Sequence, residues 1–138
     1  MNLYAYVGGN PLSYTDPLGL AQIGSRPLDV GWLPGNGNGL LRHDQIWYDD
    51  KQTPSNQGFF DNDKIREDDG HIRGEYDFSR DPKIYDDSLM REAEKNIRKN
   101  WDMDWRLRSN DCQDYGDAAR REYDRLLQQR KRFGTGRR

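Results

Sequence analysis

The stretch from Asn110 to Leu127 commits this chain to one long helix. Small or apolar residues fall at Tyr115, Gly116, Ala119, Tyr123, Leu126 and Leu127, the i, i+3, i+4, i+7 spacing of a single buried face. The only cysteine, Cys112, then lies in the first turn. Asn110 or Asp111 is placed to cap that turn by accepting bonds from its orphan amide hydrogens. The free N–H groups and the helix dipole would put positive potential at the sulfur. Such a site favours the thiolate, so the expected role of Cys112 is a low-pKa nucleophile.

A second helical stripe starts after Asp86 or Asp87, either of which could cap it, and runs through Met90, Ala93, Ile97 and Trp101 to about Asn100. Ahead of it, residues 40–48 (LLRHDQIWY) and 56–60 (NQGFF) carry strand-forming residues on both sides of a polar, Pro-containing turn, and so read as a β-hairpin. These elements predict an α+β fold in which a small antiparallel hairpin or sheet packs on two helices. Side chains alternate along a strand, which puts His43, Gln45 and Trp47 on one face and Asp44 and Ile46 on the other. A hairpin centred near Gln52 would bring His43 opposite Asp61 or Asn62, partners for its second ring nitrogen.

Composition limits what else the chain does. Of its 138 residues, 33% are hydrophobic and 33% charged, but four Trp, eight Tyr and four Phe supply large apolar area, so a small aromatic core is expected. The net charge of -2, with the signs mixed, gives no basic field for nucleic acid. A lone cysteine makes no internal disulfide, and no Cys/His spacing suggests zinc, so no metal or cofactor is expected. No apolar run approaches the roughly 20 residues that span a bilayer, and no export signal is expected at the N-terminus.

Residues 2–20 read NLYAYVGGNPLSYTDPLGL, where Tyr-Xaa-Tyr, Asn-Pro and Asp-Pro-Xaa-Gly-Leu elements follow one another. This segment resembles the C-terminal end of the Rhs repeat-associated core, the YD-repeat shell of bacterial polymorphic toxins. The resemblance implies that the shell ends here, that Asp16 belongs to a processing motif cut after Leu20, and that a variable toxin domain follows. It also implies a cognate immunity protein that covers the active cleft. Delivery would be into a target cell as part of a larger effector, by a route such as type VI secretion, with activity in the target cytoplasm.

Residues 21–39 hold Pro27, Pro34 and the run Gly35 to Gly39, with no Lys-Ser or Lys-Thr after the glycines. They are expected to be a flexible linker rather than a phosphate loop, and residues 1–39 to add little stability. The toxin domain is thus expected over 40–127, with a frayed basic tail over 128–138. Asp61, Asn62, Asp63, Asp68 and Asp69 lack the spacing of a calcium loop and read as turns, while His71 reads as exposed. The acidic patch of Asp61, Asp63, Asp68 and Asp69 suggests a basic face on the partner.

The order of a hairpin histidine, a Gly-Phe-Phe strand, a helix and an Asn-Asp-Cys-Gln-Asp-Tyr helix start resembles the circularly permuted papain-like group. That group includes permuted NlpC-type cell-wall hydrolases and lecithin:retinol acyltransferase-like proteins. The resemblance covers residues 40–127 and departs from the group at Asp44, where an aromatic or small residue is usual. It implies a nucleophile at Cys112 and a base at His43, with Gln45, Asp61 or Asn62 orienting the base. The activity implied is thiol-dependent hydrolysis or acyl transfer on a protein, peptide or lipid amide or ester. A nucleic-acid-degrading toxin using His43 or His71 with Asp, Glu or Arg partners is one alternative, and a non-catalytic recognition domain another.

Overall fold

A computed structural model describes residues 20–27, 42–107 and 109–136. The elements in chain order are β1 (Leu20–Pro27), β2 (Arg42–Trp47), β3 (Asn56–Phe60), β4 (Lys64–Arg66), a 3-10 turn at Arg73–Glu75, β5 (Tyr85–Asp86), α1 (Asp87–Arg98) and α2 (Cys112–Gly136). The strands form one antiparallel sheet in the order β4-β3-β2-β1-β5. The architecture is α+β, as expected.

Both helices pack on one face of that sheet. Ile23, Ile46, Phe59 and Tyr85 from the strands meet Leu89, Met90 and Ala93 of α1 and Tyr115, Ala119 and Tyr123 of α2 in a single buried cluster. Trp101 packs against this cluster edge to face, 5.2 Å from Tyr115 and 5.7 Å from Phe59 between ring centroids. Inside the cluster the Glu94 carboxylate is 1% exposed. It accepts from the hydroxyls of Tyr48 (2.5 Å) and Tyr115 and lies 3.6 Å from Arg98, which answers the cost of burying its charge.

The opposite face is covered by the segment 67–78. The mutual backbone bonds of Ser25 and Asp77 (3.0 and 2.7 Å) fasten it to β1, and its Tyr76 ring lies 5.2 Å from Trp47. At its centre the buried Asp68 accepts from Arg26 Nε at 2.9 Å and from Tyr76 OH at 2.5 Å. Burial works upward on that carboxyl, but these two bonds outweigh it and hold it at about 2.

Several expectations are corrected here. Residues 21–27 are not linker: β1 lies between β2 and β5, and Ala21 and Ile23 are 0% and 2% exposed. One isoleucine among Gln, Gly, Ser and Arg gave no strand pattern, yet both edges of β1 are paired and its Arg26 is neutralised by a residue distant in sequence. The domain therefore begins at least as early as Leu20, while residues 1–19, with Asp16, and residues 28–41 lie outside the described residues. At the other end α2 continues to Gly136, through most of the stretch expected to fray. The hairpin register also differs. Trp47 pairs with Asn56 and Ile46 with Gln57, which carries His43 to Phe60, not to Asp61 or Asn62. Those two residues are exposed in the turn after β3.

Candidate functional site

The alternation of β2 decides which side chains meet. Ile46 belongs to the cluster under the helices, and Asp44 lies on that same face, next to Gly116 of α2. His43 and Gln45 point the other way, under the segment 67–78. His43 Nε2 lies 2.7 Å from Gln45 Oε1, and the Gln45 amide nitrogen donates onward to Asn56 Oδ1 (2.7 Å) and Arg66 O (3.2 Å). With the amide nitrogen so used, Gln45 accepts through its oxygen and His43 donates from Nε2. Gln45 thus orients His43, one of the three partners expected for it, whereas Asp61 and Asn62 take no part. The His43 ring sits 4.4 Å from that of Phe60 and is 1% exposed. Burial drives its pKa down to about 4, against the opposing bond to Gln45. It is a neutral core imidazole.

Cys112 opens α2 as expected, and the cap is Asp111. Its Oδ1 accepts from the backbone N–H of Gln113 (3.0 Å) and Asp114 (3.3 Å), while Asp114 Oδ2 accepts from Asp111 N at 2.9 Å. Asn110 instead donates to the carbonyls of Asp102 and Asp104, fastening the connector before α2. The thiol is 1% exposed and donates to Arg42 O at 3.4 Å. Burial pushes it up to about 12, the carboxylates of Asp111 and Asp44 add to the shift, and the Asp44 backbone N–H opposes it only in part. This corrects the expectation of a low-pKa nucleophile: the cap that opens the helix brings a negative charge with it, and the sulfur is turned into the protein. The sheet stands between Cys112 and His43, so the structure does not bring the expected pair together.

On the helix side the polar residues converge on a cavity of about 400 Å³. Its floor is β1 at Ile23, Gly24 and Ser25, with Asp44 of β2 beside them. Arg80, Asp81, Lys83 and Tyr85 wall one side, and Gln113, Asp117, Arg120 and Asp124 of α2 the other. The Asp44 side chain is 14% exposed. Burial raises its carboxyl to about 6, against the pull of Arg120 and Arg80 and with the help of the Asp117 and Asp111 charges. Arg120 reaches three carboxylates: Asp81 at 2.8 Å, Asp117 at 2.6 Å and Asp44 at 3.8 Å. Lys83 pairs with Asp124 at 3.3 Å, and Arg80 has no ion pair among the described residues.

Sequence reasoning did not single out Asp44 or Arg120 as functional. A signal existed for the first, because alternation put Asp44 on the face of Ile46, where a carboxylate in a core stripe is out of place. For the second there was none, since Gln113, Asp117, Arg120 and Asp124 read as the solvated side of an amphipathic helix. His71, expected to be exposed, is half-buried with Nδ1 3.3 Å from Asp68 Oδ1. Asp68 itself is buried, which removes it from the acidic patch and leaves Asp61, Asp63 and Asp69 on the surface. Among the described residues, no group of three or more His, Cys, Asp or Glu side chains is arranged to hold a metal ion. No family model, curated protein or solved structure matches the chain.

Proposed function

We propose that this chain is the toxin-bearing end of an Rhs-type effector, and that its toxin part is a hydrolase working in the cleft over β1 and β2 with Asp44 as the acid–base group. The toxin assignment rests on the resemblance of residues 2–20 to the end of the Rhs core. The assignment of the site rests on one observation: Asp44 is a largely buried carboxyl, held near neutrality in its proton affinity, that opens into a polar cavity. On an amide or ester substrate, the Asp44 carboxylate takes a proton from the attacking water as its oxygen bonds to the carbonyl carbon. It returns that proton to the leaving nitrogen or oxygen when the tetrahedral intermediate collapses. Arg80 and Lys83, on the cleft wall, are the cations placed to stabilise the developing oxyanion. A cognate immunity protein would block the reaction by covering this cleft.

The test is inhibition of bacterial growth by the expressed domain, with circular dichroism as the control for folding. Asp44→Asn should abolish toxicity, and Cys112→Ala should leave it within a few-fold. A folded and fully toxic Asp44→Asn protein overturns the reading. A folded but harmless Cys112→Ala protein beside a toxic Asp44→Asn one returns the chemistry to the thiol. Rapid loss of cellular RNA or DNA would instead make nucleic acid the substrate.

A further inference from the structure

We propose that Arg120 is the positioning residue of the cleft, holding Asp44, Asp81 and Asp117 in one array so that the Asp44 carboxyl is presented to the cavity. The inference rests on the acid–base reading of Asp44 for its importance, but its geometry stands alone. Asp44 comes from β2, Asp81 from the loop before β5, and Asp117 from one turn earlier on α2. No two of these elements are joined by a short connection, and the guanidinium is where they meet. Its Nε reaches Asp81 Oδ2 at 2.8 Å, Nη1 reaches Asp117 Oδ1 at 2.6 Å and Nη2 lies 3.8 Å from Asp44 Oδ2. The Asp81 oxygen that takes Nε also accepts from Tyr85 OH at 2.8 Å, and Tyr85 is 2% exposed in the core. The array is therefore anchored to packed structure at one end.

Room for the array is made by Gly116. A methyl group there would stand 3.4 Å from Asp44 Oδ2 and 3.6 Å from Arg120 Nη1, so any larger side chain would enter the space between carboxylate and cation. The contacts are also unequal. Arg120 is close to Asp81 and Asp117, which fix it, and farther from Asp44. Among the described residues no group donates a hydrogen bond to the Asp44 carboxylate, and Arg120 Nη2 stays 3.8 Å away, so Arg120 orients and partly neutralises that group without occupying it. An arginine is suited to this because its planar fork addresses several oxygens at once, whereas a lysine offers a single point charge. The charged groups that act on Asp44 are Arg120 and Asp117 of α2, Arg80 of the loop, and Asp111 at the helix start. Arg120 and Asp117 oppose one another.

That opposition supplies the experiment. The Asp44 carboxyl is followed by carbon-13 NMR across pH in the wild-type, Arg120→Gln, Arg120→Lys and Asp117→Asn proteins, with toxicity scored in parallel. Arg120→Gln should move the Asp44 midpoint up by about 1 pH unit, because an opposite charge near 4 Å is removed. Arg120→Lys should restore part of that shift but little toxicity, since the charge returns without the fork. Asp117→Asn should move the midpoint down. If the folded variants leave the midpoint unchanged, or shift it in one common direction, the positioning role falls. If Arg120→Gln does not fold, Arg120→Lys and Asp117→Asn decide between the same outcomes. Failure of the acid–base reading looks different: Asp44→Asn remains toxic whatever the midpoints do.

Discussion

Asp44, and not its neighbour His43, shares a face of the sheet with Cys112. The two touch through the backbone as well, since the Asp44 N–H acts on the sulfur while the thiol donates to Arg42 O at 3.4 Å. A protonated, inward-facing thiol therefore lies behind the wall of the cleft, and the titrating carboxyl lies in front of it.

The first consequence concerns thiol reactivity. With its pKa near 12, Cys112 holds well under a hundredth of its molecules as thiolate at pH 8.5, and it is 1% exposed. Iodoacetamide should alkylate the folded protein at least ~100-fold more slowly than the urea-unfolded one. Equal rates, measured by mass spectrometry at pH 8.5, would show the sulfur to be accessible and ionised after all.

Removing β1 should unfold the domain. Ala21 and Ile23 enter the core and β1 carries backbone pairs on both edges, so a protein starting at Leu28 loses two ladders together with the Arg26–Asp68 pair. Leaving the buried Asp68 without its cation alone costs about 3 kcal/mol. A protein starting at Ala21 should keep the native circular dichroism spectrum and melt cooperatively, and one starting at Leu28 should do neither. Leu20 pairs with Asp86 and Ala21 is fully buried, so a protease added to the folded chain should not cut between Leu20 and Ala21.

Gly58 is glycine because Gln45 fills the space beside it. A methyl group at position 58 would lie 2.0 Å from Gln45 Oε1 and 3.0 Å from the Asp44 carbonyl oxygen. Gly58→Ala should push Gln45 off His43 and Asn56 and leave buried polar groups unpaired, lowering stability by about 2–4 kcal/mol in urea titrations. A loss below about 0.5 kcal/mol would mean that the His43–Gln45–Asn56 chain is loosely held.

Stability should depend on pH through opposed groups. Burial raises Asp87 to about 6, against the bond it accepts from Asp49 N, and its second oxygen has no hydrogen-bond partner among the described residues. A carboxyl raised in the folded state contributes stability that is full below its unfolded value of about 4 and is lost as pH rises through 6. Asp87→Asn should therefore be more stable than wild type at pH 7.5, by roughly 1 kcal/mol, with the gain fading toward pH 4. His43 runs the other way. Lowered to about 4, its contribution is full above the unfolded value of about 6.5 and is lost as pH falls from there to 4. Thermal melts of Asp87→Asn and wild type at pH 4.5, 6 and 7.5 separate the two; a gain that is constant across pH would remove Asp87 from this account.

By itself the sequence determined the elements whose signals are local. The stripe of Met90 and Ala93 with its cap at Asp86, the stripe of Tyr115, Ala119, Tyr123 and Leu126 opening at Cys112, and the alternation of β2 all follow from neighbours within a few residues, and they suffice for an α+β fold. Alternation even placed His43 and Asp44 on opposite faces. What it did not say was which face the helices cover, and that one choice moved the candidate chemistry from His43 to Asp44. Tertiary structure alone made β1 a strand, because its order comes from pairing with β2, β5 and Asp77 and from the Arg26–Asp68 pair, none of which is near in sequence. It alone set the protonation of Cys112 and Asp44. A helix start and a strand position each have an ordinary local electrostatics, but burial and charges brought in from distant segments outweigh it, and those depend on where the folded chain puts them.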